Sequence, residues 1–297
     1  MRPGPIIDLH THSRVSDGTQ SPTELVQAAA AAGLDVLALT DHDTSGGWDE
    51  AVSAAASAGI ELVRGMEISC RHRGRDVHLL AYLPDPAYEP LVNALQKILD
   101  GRNSRVPGIL ARLHELGIAL TPDDVRRVSG DAAAVGRPHV ADALVAAGVV
   151  RDREQAFDEL LRPGRPAYVD RYAAPLEPMI RTVMEAGGVS VVAHAWGRAN
   201  DPGPLDAAGF AELAAVGLSG IEVDHEDHEP GAREQLRAIA RDLDLVVTGS
   251  SDHHGTGKTG HALGCNTTSP EEYARLLERA ATAAAVSGRA TPEVVTR

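Results

Sequence analysis

Seven short apolar runs, each delivering a histidine or a carboxylate at or near its end, limit what this chain can become more than any other feature. Ile6-Ile7-Asp8-Leu9 leads into His10-Thr11-His12, with Asp17 just beyond, and 36–39 leads through Thr40 into Asp41-His42-Asp43. Leu62-Val63 runs on to Glu67, and His78 falls inside the run 77–83. Further along, 189–193 ends at His194, 221–224 at His225, and 245–251 at Asp252-His253-His254. The runs are rich in Leu and β-branched residues and too short for helices, so they read as buried parallel strands. Ala-rich amphipathic segments lie between them. Ser21 is a candidate N-cap with Pro22 in the first turn and Glu24 completing a capping box, and Gly33 ends that helix. Residues 47–59 and 230–242 read the same way. Strands alternating with helices give an α/β chain. In a parallel barrel the carboxyl ends of all strands open on one face, where active sites are built.

One stretch breaks the alternation. Residues 89–168 carry helix signals and no strand: Thr121-Pro122-Asp123-Asp124, Gly136-Arg137-Pro138-His139, and 153–161 stopped by Pro163-Gly164. A barrel of 1–88 and 169–297 with a helical insertion of 89–168 as substrate cap is therefore expected, closed by a last helix over 269–287 and a frayed end. Aromatic residues are only 3% of the 297, so Ala, Val, Leu and Ile must fill the core. The 42 acidic residues exceed the 28 Lys and Arg, a net charge of −14. Such a surface does not hold a long nucleic acid by bulk charge, and any positive charge for phosphate must be local. No run approaches the ~20 apolar residues of a membrane span. The start, 1–8, lacks a signal-peptide core, and Cys70 and Cys265 cannot build a disulfide framework. A cytoplasmic location follows, with no membrane contact and no obligate protein partner indicated.

A lone histidine after a strand is ordinarily a hydrogen-bonded core or surface residue. Seven arrivals on one rim are another matter, because random placement would scatter them through the helices. His10 and His12 are two apart, the strand period, so both imidazoles point to one side. Two neutral imidazoles aimed at one point favour a metal, and nitrogen mixed with carboxylate suits Zn, Mn or Fe better than Mg or Ca. His72, His114 and His261 read as structural or solvated, and Asp8, Asp41 and Asp43 as partners that orient histidines.

These segments resemble the polymerase and histidinol phosphatase (PHP) superfamily of metal-dependent phosphoesterases over nearly the whole chain. The likeness lies in His10-Thr11-His12, Thr40-Asp41-His42-Asp43, Ala193-His194 and Ser251-Asp252-His253-His254. In the insertion, Gly136-Arg137-Pro138-His139-Val140-Ala141, Ala156-Phe157 and Pro166-Ala167-Tyr168-Val169 resemble the branch of 3′,5′-nucleotide bisphosphate phosphatases and 5′-to-3′ oligoribonucleases. The resemblance implies a distorted seven-stranded TIM-like barrel and two or three divalent ions. By position, the first ion takes His10, His12, Glu67 and Asp252; the second shares Glu67 and adds His78 and His194; the third takes Asp17, His42 and His254. Three divalent ions outweigh the three carboxylates, so the cage itself attracts an anion. The chain departs from the family at Ala195-Trp196, where Pro is common, and at His253, where Phe is common; Trp196 is expected to shape the pocket wall.

The expected chemistry is attack of a metal-activated hydroxide on phosphorus. Either His194 or His225 assists the leaving oxygen. Arg137 and His139 at a helix start, Arg105, His228 and Lys258 are candidate phosphate contacts. No Walker-type loop exists: the position five before Gly257 is Asp252. Cys70 lacks an activating pair and is not read as a nucleophile. The implied substrate is a small nucleotide such as adenosine 3′,5′-bisphosphate, giving AMP and phosphate, with trimming of short RNA from its 5′ end beside it. A phosphatase of another metabolite such as histidinol phosphate is the rival enzyme, though a compact barrel would suffice for it. A non-catalytic metal-binding regulatory domain is disfavoured because all nine ligand positions are filled.

Overall fold

The computed structural model describes residues 4–296; the first three residues of the start read above for a signal lie outside them. The chain runs β1 (Ile7–Thr11), α1 (Pro22–Ala31), β2 (Val36–Leu39), α2 (Trp48–Ala58), β3 (Glu61–His72) and β4 (Arg75–Tyr82) before entering the insertion. The insertion holds α3 (Glu89–Glu115), α4 (Pro122–Ser129), α5 (Arg137–Ala146) and α6 (Arg153–Ala156), which widens into a π turn over Phe157–Leu161. The barrel resumes with the short β5 (Ala174–Pro175), α7 (Leu176–Glu185), β6 (Val189–Val192), α8 (Ala207–Ala215), β7 (Gly220–Asp224), α9 (Pro230–Asp242), β8 (Val246–Gly249) and α10 (Pro270–Ser287).

The strands form one sheet in the order β1-β2-β3-β4-β6-β7-β8, with β5 paired to β3. A parallel bridge from Thr11 to His253 brings the last strand end back to the first and nearly closes the barrel. Strands such as β1, β2 and β6 are buried along their whole length, because helices cover the outside and side chains fill the inside. One expectation is corrected here. The run 77–83 is not a parallel strand: β4 lies antiparallel to both β3 and β6. Only Arg73 and Gly74 separate β3 from β4, both with positive φ (47° and 83°), the backbone of a tight hairpin. A parallel crossover needs a dozen or more residues.

Local signals act as the sequence implies. Glu24 N donates to Ser21 Oγ (3.1 Å) and Ser21 N to Glu24 Oε2 (2.7 Å), starting α1. The first half of α3 buries Leu91, Leu95 and Ile98 in the barrel core. Its second half buries Val106, Ile109, Leu110 and Leu113 in a separate core shared with α4 and α5. The insertion thus carries its own packed interior and is joined to the barrel by one continuous helix. The chain end is not frayed as expected: Leu62 and Val295 exchange two backbone hydrogen bonds of 3.0 Å, and Arg64 donates to Glu293 O (2.7 Å).

Candidate metal centre

Strand β1 and the residue that follows it point His10 and His12 into the barrel mouth with their Nε2 atoms 3.0 Å apart. Glu67 Oε2 lies 3.4 Å from His10 Nε2, 3.2 Å from His12 Nε2 and 3.1 Å from His42 Nδ1. Its other oxygen lies 2.7 Å from His78 Nδ1 and 3.0 Å from His194 Nε2. Asp252 Oδ1 stands 3.5 Å from His10 Nε2 and 3.4 Å from His12 Nε2. Asp17 faces His254 Nε2 at 3.3 Å and His42 Nε2 at 3.7 Å. The nine residues expected to gather therefore surround one small volume, with the half-buried His78 and His194 on its open side.

A tetrahedral ion with ligand bonds of about 2.0–2.1 Å holds its ligands about 3.3–3.4 Å apart, close to most of these separations. Among the described residues, Nδ1 of His42 and of His78 are buried without a hydrogen bond although each stands beside a Glu67 oxygen. Lone pairs facing lone pairs are what a cation between them relieves. The tautomers agree. His10 Nδ1 donates to Glu222 Oε1 (3.0 Å) and His254 Nδ1 to the Asp252 carbonyl (2.9 Å), which leaves both Nε2 lone pairs for the cage. His194 and Asp252 both hold positive φ, 28° and 52°, backbone strain of the kind that collects at functional sites. The donor set fits divalent cations.

Charge balance carries the same message. Burial alone would raise Glu67, Asp17 and Asp252, yet His78, His42, Lys258 and their neighbours hold all three well below the usual carboxylate range. Burial would also lower His12, but Asp252 and Glu67 raise it to about 9. Burial would lower His10 too, yet Glu222, Glu67 and Asp252 push it well above its ordinary value. In the proton-filled cage imidazolium supplies the positive charge that the carboxylates demand.

The surrounding residues sort differently from the expectation. Asp8 accepts from the backbone N–H of Ser251 (3.0 Å) and Gly264 (2.9 Å), and Asp43 from Ser69 N (2.7 Å) and Ser69 Oγ (2.9 Å) with Arg102 Nε at 2.6 Å. Both fix loops instead of imidazoles. Asp41 reaches His12 only through Ser16, whose hydroxyl donates to it at 2.7 Å. The carboxylate that does orient His10 is Glu222, fully buried, whose second oxygen accepts from His194 N (2.8 Å). An acid in the middle of the apolar run 220–224 was its sequence signal. His225 Nδ1 accepts from Asp227 N (3.1 Å), so its Nε2–H is committed to Asp252 Oδ2 (3.2 Å). His261 was read as structural or solvated; it is buried, donates from Nδ1 to Ser251 O (2.7 Å), and stands within ligand distance of His225 and Asp252. Burial and the nearby Lys258 lower it to about 4.

Between the barrel mouth and the insertion lies a cleft of about 830 Å³ lined by Asp17, His42, Glu67, His78, His194 and Asp252 on one side and α5, α6 and the π turn on the other. Lys258 lines it and pairs with Asp252. Arg105 and Arg137 gather with Arg102 and Arg171, the last two not foreseen. Burial, then Arg137, Arg102 and Arg171, lower Arg105 to about 8, and burial followed by Arg102 lowers Arg171 to about 10. Among the described residues the Nε atoms of Arg105 and Arg137 have no hydrogen-bond partner. A guanidinium does not lose its proton in practice; Arg102 is answered by Asp43, so the buried Arg105 and the half-buried Arg137 are the members of the group left to attract an anion. His139 is buried at the start of α5 with Nδ1 accepting from Gly136 N (3.2 Å). Two expectations fall. His228 spends both nitrogens on backbone, Nδ1 on Val223 O (2.9 Å) and Nε2 on Trp196 N (3.3 Å), and is left with no donor for phosphate. Trp196 is 2% exposed in the barrel core, donating to Leu205 O, and forms no pocket wall.

Comparison with known proteins places this geometry. The PHP domain profile matches residues 8–159. A 3′,5′-nucleoside bisphosphate phosphatase of Chromobacterium violaceum is 37% identical over 87% of this chain and 90% of its own length. A 5′-3′ exoribonuclease of Haemophilus influenzae is 36% identical over 83% and 89%. A solved structure from Bifidobacterium adolescentis, provisionally named a metal-dependent phosphoesterase, superposes with a TM-score of 0.88 at 37% identity, covering 93% of this chain and 97% of that one. The imidazole and carboxylate cage at the mouth of a nearly closed barrel is therefore that of a hydrolase, and the chain belongs to the PHP family of metal-dependent phosphoesterases.

Proposed function

We propose that this protein removes the 3′-phosphate of nucleoside 3′,5′-bisphosphates, with adenosine 3′,5′-bisphosphate as the type substrate and AMP and phosphate as products. The observation that carries the reading is the pairing of two anion-seeking centres: the cage, and the group of buried Arg102 and Arg105 with half-buried Arg137 and Arg171, of which Arg102 acts on His42. A substrate with two phosphates satisfies both. The scissile phosphate belongs at the cage, the second on the arginines with His139, and the insertion 89–168 caps the nucleoside. His10, His12, Asp17, His42, Glu67, His78, His194, Asp252 and His254 hold two or three ions, with Mn, Fe or Zn suited to the donors. Bound divalent ions supply hydroxide at neutral pH by lowering the pKa of water to about 7.

The chain's own residues do the rest. Glu222 keeps His10 in one tautomer, and His225 with Lys258 fixes the outer oxygen of Asp252. Of the two histidines considered for the leaving oxygen, His194 lines the cleft, whereas the Nε2 proton of His225 is already given to Asp252. Trimming of short RNA from its 5′ end is a second reading, favoured by the likeness to the exoribonuclease. Two free cysteines suit a reducing cytoplasm; among the described residues no helix is long and apolar enough to cross a membrane.

The test is phosphate release with added Mn from adenosine 3′,5′-bisphosphate and from adenosine 3′-monophosphate, which lacks the second phosphate. The bisphosphate is expected to be preferred, and Arg137→Met to raise its KM about tenfold or more while leaving the monophosphate unchanged. Equal use of both substrates by the unmodified enzyme overturns the two-phosphate reading.

A further inference from the structure

His10, Glu67 and His78 sit on strands, which the sheet holds in place. Asp17 and His254 do not. Asp17 lies in the loop between β1 and α1, and His254 in the loop after β8. Thr19 zips these loops together: Thr19 N donates to His254 O (3.2 Å) and Thr256 N to Thr19 Oγ1 (3.0 Å). Gly255 permits the contact, since it has φ +65° and a Cβ there would overlap Thr19 Oγ1.

The joined loops then hang on the insertion. From α6, Arg153 Nη1 donates to Asp17 O (3.1 Å) and Gly257 O (3.4 Å), while Nε and Nη2 grip the carboxylate of Asp142 on α5 (2.5 and 2.6 Å). A second link runs from Ala133 N to Val15 O (3.0 Å). One guanidinium from the cap thereby spans both loops that carry Asp17 and His254.

We infer that Arg153 is a positioning residue that makes the third cation position, formed by Asp17, His42 and His254, depend on docking of the helical insertion onto the barrel. The inference rests on the reading of these three residues as metal ligands. Groups that orient metal ligands from behind typically change affinity about 10–100-fold. Arg153 acts on the backbone of two ligand loops at once, and its fork cannot be reproduced by an ammonium.

The experiment counts metal without assaying activity. Mn-loaded full-length protein, Arg153→Met, Arg153→Lys, His254→Ala and the Arg153→Met/His254→Ala pair are titrated with a chelator, and Mn per chain is read by elemental analysis. Circular dichroism monitors the fold, and the lysine variant serves where methionine unfolds the chain. Arg153→Met is expected to hold one ion about 10–100-fold more weakly, the same ion that His254→Ala loses, so that the double variant loses no more than His254→Ala alone. If His254→Ala loses an ion and the Arg153 variants keep it at unaltered affinity, the coupling is wrong and the cage reading stands. Additive loss in the double variant also overturns the coupling. If His254→Ala keeps all its metal, the third position itself falls, and the coupling with it.

Discussion

Glu222 has no exposed surface, yet it holds the proton of His10, the backbone of His194 and the hydroxyl of Ser250 at once. Burial opposes its charge, and His10, His225 and His194 outweigh burial and keep it ionised. Glu222→Gln preserves shape but replaces the acceptor that fixes the His10 tautomer. It is expected to weaken metal binding about 10–100-fold with the fold intact, measured by chelator titration beside a thermal melt; unaltered affinity would show that His10 needs no such partner. The nine residues that surround the cage were legible in the sequence because His and acid at strand ends form an unusual pattern. Glu222 was not singled out, because it sits in mid-strand, three residues before His225, and its role depends on which face of β7 meets β1. His228 misled for a related reason: a histidine three residues past His225 at a strand end looks available until both ring nitrogens are seen bonded to backbone.

At the level of elements, capping chemistry was readable, and so was the parallel direction of the strands apart from β4. Ser21 and Glu24 form the box their spacing implies. Ser21→Ala is expected to cost about 0.5–2 kcal/mol, read as a lower urea midpoint with an unaltered m-value. The direction of β4 could have been taken from the two residues Arg73 and Gly74, too few for any crossover. The absence of strands over 89–168 was readable, but the division of α3 between two cores was not, since one amphipathic helix gives no sign of which neighbours its two halves meet. The pinned tail at Val295 is likewise a pairing between residues distant in sequence.

For the molecule as a whole, the cage makes stability depend on pH and on metal together. In metal-free protein His12, raised to about 9 from 6.5, contributes stability that is fully present below 6.5 and is lost as pH rises through 9. His10 and His194 are raised and act in the same direction. The depressed Asp17, Glu67 and Asp252 contribute stability that is present above the ordinary carboxylate range and lost as pH falls through their lowered values. His42 and His254, lowered chiefly by burial, add to the loss on the acid side. Metal-stripped protein is therefore expected to melt at its highest temperature near pH 6–7, and Mn to raise the melting temperature more at pH 9 than at pH 6. Calorimetry at both values checks this; an equal Mn effect at both would mean that protons and cations do not compete for the cage.

Hydrophobic period and residue type are local properties, so the α/β alternation and the nine His, Asp and Glu side chains that cluster at the barrel mouth were readable from the order of residues alone. Tertiary structure alone decided that His225 serves Asp252, that four arginines meet, and that Arg153 joins the cap to two ligand loops. Each of those depends on distances across the fold, set by how the sheet closes and where the insertion docks, and no local pattern along the chain encodes such a distance.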